Sequence, residues 1–269
     1  MKKVILSLII VSSFGFANAQ ISLGKATKIA EKGVKALTFS NEDAKRLSKE
    51  AVDWMDNNNP VAAASDPYAQ RLERVFGKHK NEDGLPLNYK VYNVIDINAF
   101  ACADGSVRVF SSLMDILTDD ELLAVIGHEI GHVKNEDTKD AMKAAYMKAA
   151  ALEAGSAASS TVATLNDSQL GEMANAMLDA THSRKQETSA DTYSYDFMKK
   201  HGYDVVAAYT AFKKLALLSE GSQMSGYEKM MSSHPDSKKR AEAVKKKAQK
   251  DGLWKDPGTV TLPTSPLTK

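Results

Sequence analysis

Apolar residues recur at helical spacing along most of the chain, and breaks in this pattern mark the ends of helices. The pattern predicts a helix over 26–54 that the polar run 56–60 terminates. Asp66 followed by Pro67 is typical of an N-cap with proline at the first helical position. Further helices are predicted at about 184–200, 205–219 and 236–249, with two more in the Ala-rich stretch 138–180 that break near 165–167.

One region departs from helical spacing. Residues 89–97 are rich in Val, Ile and Tyr, and residues 107–110 repeat this composition. Asp104-Gly105 between them is a turn signal, so the two segments are predicted to pair as a hairpin. The fold class predicted from these elements is α+β, mainly helical, with one small sheet.

The N-terminus has the pattern of an export signal. Lys2 and Lys3 precede an uncharged, mostly apolar run over 4–16, and the small-x-small residues 17–19 favour cleavage before Gln20. The expected organisation is a signal peptide over 1–19, one domain over 20–255 with its core at about 89–250, and an extended or disordered tail over 256–269. This pattern favours the periplasm of a Gram-negative-type bacterium, and no later segment is long and apolar enough to span a membrane.

Composition narrows the function further. Lys and Arg total 35 against 34 Asp and Glu, and this near-neutral balance argues against a general nucleic-acid-binding protein. Cys102 is the single cysteine, so neither an internal disulfide nor a cysteine-based zinc site can form. Any bound metal must therefore use histidine and carboxylate ligands.

The strongest chemical signal is the sequence His128-Glu129-Ile130-Gly131-His132. It lies in an apolar segment that begins with the capping box Thr118-x-x-Glu121, so it is predicted to be helical. On a helix, His128 and His132 project from one face and can bind the same zinc ion. Glu129 lies about 100° around the helix, where it can act as general base on a nearby water. The alternative interpretation is a pair of core histidines with structural hydrogen bonds.

A catalytic zinc needs a third protein ligand. The metzincin pattern requires Gly at position 135 and His at position 138, where this chain has Asn135 and Thr138. The later residues Glu187 and Asp191 are one helical turn apart, so one can bind metal while the other holds a ligand histidine. Taken alone, this spacing is also that of an ordinary solvated pair.

Four separated blocks of sequence carry a family resemblance. They are Asn98-Ala99-Phe100 with 107–110 and 112–113, then 118–122 with 127–133, then 183–191, and finally Ser233-His234-Pro235 with Arg240. With these blocks the chain resembles the HtpX-like zinc metallopeptidases, which are related to the CAAX prenyl proteases. It is similar to their soluble periplasmic, BepA-like branch. The resemblance implies a zincin-like fold with a small β-sheet beside the zinc helix.

The resemblance also implies roles for individual residues. His128, His132 and Glu187 would bind one Zn²⁺ per chain, Glu129 would be the general base, and Asp191 would hold a ligand from behind. Many relatives carry a further histidine shortly after the motif, where this chain has 135–137.

Other implied roles leave alternatives open. His234 would approach the metal, either to stabilise the oxyanion or to occupy the open zinc position; the alternative is an ordinary loop histidine. Arg240 would hold that loop by pairing with a carboxylate. Asn98 and Ala99 would form an edge strand that binds an extended peptide, or simply end a strand. The helices of 138–180 would pack near the cleft, as a lid or as ordinary core.

The function implied is a zinc-dependent endopeptidase that hydrolyses unfolded or misassembled envelope proteins in quality control. Its partners would be polypeptide substrates, with the outer-membrane assembly machinery as a further candidate partner. The alternative is a periplasmic chaperone or assembly factor whose zinc site is structural or held shut. His234 as a fourth zinc ligand is the feature that would favour this alternative.

Overall fold

A computed structural model of the protein describes residues 39–151, 164–221, 230 and 232–266. The predicted signal peptide and the part of the predicted helix 26–54 before residue 39 lie outside these residues. In the described chain, no helix is both long enough and apolar enough to cross a bilayer.

Helices make up most of the described structure, which confirms the mainly helical α+β prediction. They are α1 (Asn41–Asn58), α2 (Pro67–Phe76), α3 (Ser111–Ile116), α4 (Asp119–Lys134), α5 (Asp137–Ala151), α6 (Asp167–Leu178), α7 (Arg184–Lys200), α8 (Val206–Gly221) and α9 (Ser237–Lys250). A short 3-10 helix, Gly77–His79, follows α2.

Side-chain caps begin several of these helices where the sequence predicts them. Asp66 accepts a hydrogen bond from the Tyr68 amide at the start of α2. At the start of α4, the Glu121 carboxylate accepts from the Thr118 amide at 2.7 Å, and the Thr118 hydroxyl accepts from the Glu121 amide. Asn166 caps α6 in the same reciprocal way, which confirms the predicted break near 165–167. Local chemistry thus fixes where α4 begins and hence the position of its histidines.

The sheet differs from the predicted hairpin. Its strands are β1 (Asn81–Glu82), β2 (Leu85–Pro86), β3 (Asn88–Tyr92), β4 (Ala99–Ala101) and β5 (Ser106–Phe110), with β1 and β2 forming a separate antiparallel pair. In the main sheet the order is β3-β5-β4, with β3 parallel to β5 and β4 antiparallel to it. The turn at Asp104-Gly105 does form a hairpin, but its first strand is β4.

The prediction that 89–97 is the hairpin partner of 107–110 is therefore wrong. The strand ends at Tyr92, and the chain then crosses over before it returns as β4. Gly105 adopts a φ of +88°, and a Cβ there would lie 1.9 Å from the Pro86 carbonyl oxygen. The glycine thus permits a tight reversal directly beside the end of β2, and the strand that this reversal pairs with β5 in antiparallel register is the short strand β4.

α4 is the central element of the fold. Every residue from Glu121 to Val133 is buried. One face packs on α7, and other faces contact α8 and β4. Glu121 is neutralised by Lys214, whose ammonium lies 2.7 Å from its carboxylate. The two histidines of the motif are therefore held in a helix that is enclosed on several sides.

A second layer lies against this core. α1, α5 and α6 pack together around residues such as Leu47, Met142 and Met173. Beyond α9, the described residues of the tail contain neither helix nor strand, yet Trp254 and Leu262 pack on the main core. The helices α5 and α6 correspond to the two predicted in 138–180.

α4 and α7 approach each other unusually closely. A Cβ added at Gly131 would lie 2.9 Å from Ala190 Cα and 3.0 Å from the Ala190 carbonyl oxygen. The Ser194 hydroxyl donates a hydrogen bond to the Ala124 carbonyl oxygen at 2.6 Å. α4 has glycines at 127 and 131, the positions where it faces α7, and the absence of side chains there lets the two helices pack closely.

Gly131→Ala tests this close approach. The new methyl group would collide with the backbone of Ala190, so the two helices must separate, and we expect a loss of about 1–3 kcal/mol in the free energy of unfolding. Gly127→Ala is the matched control, because the nearest atom there belongs to the Phe197 side chain and the nearest backbone atom is 3.5 Å away. Urea titrations of both variants measure the difference. Equal stabilities of the two variants would contradict the tight contact.

Candidate metal centre and active site

Four buried side chains each bring one potential ligand atom to a common point. The nitrogens His128 Nε2 and His132 Nε2 are 3.1 Å apart. Glu187 Oε1 lies 3.2 Å from His132 Nε2 and 3.1 Å from His234 Nδ1. His234 Nδ1 is 3.3 Å from His128 Nε2. The structure therefore brings the three predicted metal ligands together and adds His234 to the same group.

Three parts of the chain supply these donors. The two α4 histidines are one turn apart, and the first turn of α7 places Glu187 opposite them. His234 comes from the loop before α9, where its amide donates to the Met230 carbonyl oxygen at 2.9 Å. Asp236 then adopts a left-handed φ of 66°, which turns the chain into α9. His234 is thus fixed by backbone geometry.

The donor set fits a divalent metal. Ligand atoms that bind zinc tetrahedrally at 2.0–2.2 Å are about 3.3–3.5 Å apart, and the four spacings given above run from 3.1 Å to 3.3 Å. A neutral imidazole has only one donor nitrogen, so three converging imidazole nitrogens and a carboxylate cannot satisfy one another fully. Among the described residues, no group donates an aligned hydrogen bond to Glu187 Oε2, although Arg240 Nη1 forms an ion pair with it at 2.7 Å.

The protonation states of His128 and Glu187 suit metal binding. Burial acts to lower the pKa of His132, but its contacts with Glu187, Glu129 and Asp137 outweigh this and raise it. Burial, reinforced by the nearby charge of Arg240, holds the pKa of His128 well below its usual range, so its imidazole is neutral. Burial acts to raise the pKa of Glu187, but its contacts with His132 and His234 and the charge of Arg240 outweigh this, and the pKa lies well below normal. A neutral imidazole and an ionised carboxylate are the ligand forms that a metal requires.

Asp191 and Arg240 lie directly behind the ligands. Asp191 Oδ1 is 2.9 Å from His128 Nδ1, the nitrogen that faces away from the metal ligands. Arg240 Nη2 donates to the same oxygen at 2.6 Å, and its guanidinium lies 4.1 Å from the centre of the Phe212 ring. Arg240 Nη2 also lies 3.0 Å from His128 Nδ1. A carboxylate and its partner placed behind a ligand histidine hold its ring in orientation. These positions agree with the roles that the resemblance implies for both residues.

Two further residues at the site were not among the predicted ones. Asp137 Oδ2 accepts a hydrogen bond from His132 Nδ1 at 2.9 Å, so it does for His132 what Asp191 does for His128. The ring of His182 stacks on that of His132, with centroids 3.8 Å apart. The signal for Asp137 is an acidic residue shortly after the helix end, and Glu136, with φ of 62°, turns the chain so that Asp137 returns to His132.

Glu129 lies at the inner wall of a cleft that opens beside the ligand atoms. It is buried, and one carboxylate oxygen lies 3.7 Å from His234 Nε2. Burial raises the pKa of its carboxyl group above the usual range, while His234 opposes the rise. A carboxyl whose pKa is shifted towards neutrality is suited to accept a proton and release it again.

The strand β4 forms another wall of the cleft. Asn98 O accepts from the Phe110 amide and the Cys102 amide donates to Ser106 O, so these groups point at β5. Strand alternation then directs the backbone groups of Ala99 and Ala101 towards the cleft. The Asn98 side chain accepts a hydrogen bond from the Ala99 amide at 2.9 Å. The cleft is also lined by Met142 of α5 and Met177 of α6, as expected for helices packed near the cleft.

Two histidines and a glutamate around one point, with a second glutamate beside them, define a metallopeptidase active site. The chain belongs to peptidase family M48, whose model matches residues 68–248. It is 40% identical to the metalloprotease LoiP of Escherichia coli over 81% of this chain and 85% of that protein. It is 41% identical to the metalloprotease YcaL of the same organism over 78% of this chain and 82% of that protein. These findings confirm the predicted family and show that the chain is a metalloprotease.

A more distant relative is a putative beta-barrel assembly-enhancing protease of Vibrio cholerae. The chain is 27% identical to it over 69% of its own length and 41% of that protein's length.

Asp137→Ala tests the support of His132. Without its carboxylate acceptor, His132 loses its fixed orientation, and we expect the affinity for zinc to fall about 10- to 100-fold. Asp140→Ala, an exposed acidic residue one turn further along α5, is the matched control and should leave the affinity unchanged. Competition with a chromogenic chelator measures both. Equal affinities in the two variants would show that Asp137 does not orient the ligand.

Proposed function

We propose that the protein is a zinc-dependent endopeptidase of the bacterial cell envelope, which hydrolyses unfolded or misassembled proteins. The proposed peptidase activity is supported above all by the position of Glu129, which lies at the cleft wall beside the ligand atoms of His128, His132 and Glu187. Two imidazoles and one carboxylate are the protein ligands of many catalytic zinc sites. We therefore assign one Zn²⁺ to this group of residues.

Zinc bound there would supply Lewis acidity towards a water molecule and towards the carbonyl group of the substrate. The chain's own residues perform the proton transfers. The Glu129 carboxylate removes a proton from the attacking water, and then passes that proton to the amine that leaves. Asp191 and Asp137 hold the two ligand rings from behind, so that the ligand atoms stay in place throughout.

The expected substrate is an extended polypeptide. The backbone groups of Ala99 and Ala101 face the cleft, and a peptide can add to β4 as a further strand through main-chain hydrogen bonds. Binding of this kind uses groups that every residue has, so specificity for side chains is broad. Unfolded segments satisfy this requirement because their backbones are free to pair. This supports unfolded or misassembled proteins as the substrate class.

A location in the periplasm rests on two supports. The sequence begins with an export-signal pattern over 1–19, and the name of the Vibrio cholerae relative places that protein in β-barrel assembly. The outer-membrane assembly machinery is accordingly a candidate partner. Soluble protein in the periplasm, with or without peripheral contact with a membrane, is the form that we propose.

Glu129→Gln tests the proposed chemistry. The amide has the same size as the carboxylate but cannot accept the proton, so zinc should stay bound while hydrolysis of casein falls about 100-fold or more. Glu136→Gln, an exposed glutamate just beyond α4, is the matched control. Wild-type cleavage should stop when a chelator removes the metal and return when zinc is added. A zinc-loaded Glu129→Gln protein with normal activity would exclude this mechanism.

A second candidate function has one observation in its favour. His234 Nδ1 lies among the ligand atoms, 3.1 Å from Glu187 Oε1 and 3.3 Å from His128 Nε2. In this position it would serve as a fourth ligand of a bound metal and would exclude a water or a substrate carbonyl from that place. A site closed in this way fits a resting protease, or a chaperone or assembly factor whose zinc is structural. Of the two expected roles for His234, the geometry supports the fourth ligand over the oxyanion donor.

His234→Ala separates these possibilities. If His234 closes the site, its removal should keep zinc bound through three ligands and raise the rate of casein hydrolysis severalfold. If His234 instead stabilises the oxyanion, the same variant should lose about 100-fold or more in kcat. A variant that binds zinc but stays inactive on all unfolded substrates, like the wild type, would favour the chaperone. Zinc content and initial rates of cleavage distinguish the three results.

A further inference from the structure

A second group of metal-ligating side chains lies outside the active site. His79 Nδ1 is 3.3 Å from Glu82 Oε2, and His201 Nε2 is 3.0 Å from the same oxygen. The three ligand atoms all lie within 4.8 Å of one another. Two imidazoles and one carboxylate are the same donor types as in the catalytic centre, and the two distances to Glu82 Oε2 are close to the ligand spacing around a tetrahedral metal, about 3.3 Å.

The surroundings of this cluster hold its donors in place, as the surroundings of a protein metal site do. His79 and Glu82 are only 2% and 3% exposed, while the His201 side chain is 26% exposed and leaves one side open to solvent. The rings of Phe76 and Phe197 lie 5.4 Å and 4.9 Å from the His79 ring. This apolar packing fixes the imidazole and excludes water from the inner side. Three protein donors and a solvent-facing fourth position can complete a tetrahedron.

Neighbouring groups orient two of the three donors. The Tyr203 hydroxyl lies 2.8 Å from His79 Nε2, so the other ring nitrogen is left to face Glu82. Lys200 contacts Glu82 Oε1 at 2.6 Å and Asp83 Oδ1 at 2.8 Å, and Glu82 Oε1 also lies 3.1 Å from His201 Nε2. Since its side chain is half exposed and has a second carboxylate partner, Lys200 can leave Glu82 and keep Asp83. The ammonium therefore competes with a metal but does not block it.

We propose that His79 Nδ1, Glu82 Oε2 and His201 Nε2 form a second metal site, separate from the catalytic centre, which binds zinc. None of its residues takes part in the site around His128.

A metal at this position would join two distant parts of the chain. His79 and Glu82 lie between α2 and the main sheet, whereas His201 follows the last turn of α7, and 119 residues separate Glu82 from His201. The same helix α7 carries Glu187 near its start. Zinc would thus anchor the far end of the helix that supplies the third catalytic ligand, and its role would be to stabilise the fold.

The test is a count of bound zinc. The purified wild-type protein and His201→Gln are stripped with a chelator, reloaded with excess zinc, freed of unbound metal by gel filtration and analysed by mass spectrometry of the metal. We expect one zinc fewer per chain in His201→Gln than in the wild type. This difference is independent of how much metal the catalytic centre holds. Zinc should also raise the melting temperature of the wild type more than that of the variant.

Lys200→Met provides an independent measurement. The substitution removes the competing positive charge, so the second zinc should bind at least about tenfold more tightly than in the wild type. A hydrogen-bonded network without metal would instead be weakened by this change and show no effect of zinc. Equal zinc content in folded wild type and His201→Gln would overturn the proposal. Should His201→Gln fail to fold, an unchanged zinc affinity in Lys200→Met would overturn it.

Discussion

The close contact between α4 and α7 is the constraint on which the rest of the site depends. Gly131 lets the backbone of α7 pass at Ala190, where a Cβ would be only 2.9 Å from Ala190 Cα. At this separation, Glu187 and Asp191, which precede and follow Ala190 on α7, reach the two ring nitrogens of His128. One helix therefore supplies a ligand atom and, one turn later, the carboxylate that orients a ligand ring. Wider packing would leave both carboxylates short of the histidines.

This contact buries two carboxylates, and one arginine compensates for both of them. Arg240 pairs with both Glu187 and Asp191, and its guanidinium is packed against the Phe212 ring. Buried charges are tolerable only when they are paired and hydrogen-bonded. His234 comes from the loop that precedes Arg240. One segment therefore carries both the histidine that can close the site and the arginine that neutralises Glu187 and Asp191 behind the ligands.

Much of this site could be predicted from local sequence, because helical periodicity alone places His128 and His132 on one face. Glu187 required the family resemblance, since no local rule reveals which glutamate packs opposite α4. Asp137 could not be predicted in the same way, because its contact depends on the left-handed turn at Glu136. The pairing of β3 with β5 could not be predicted from the sequence either. A parallel pair depends on how the chain crosses over, and the local turn signal identified the hairpin at Asp104 but not its first strand.

The most direct test is anomalous diffraction at the zinc edge from crystals of the zinc-loaded protein. Our account predicts a peak about 2.0–2.2 Å from His128 Nε2, His132 Nε2 and a Glu187 oxygen, with Asp191 Oδ1 still in contact with His128 Nδ1. A distance of the same size to His234 Nδ1 would identify the closed state directly. A peak at the two histidines that excludes Glu187, or no peak between α4 and α7, would contradict the claim that this helix contact builds the catalytic metal centre.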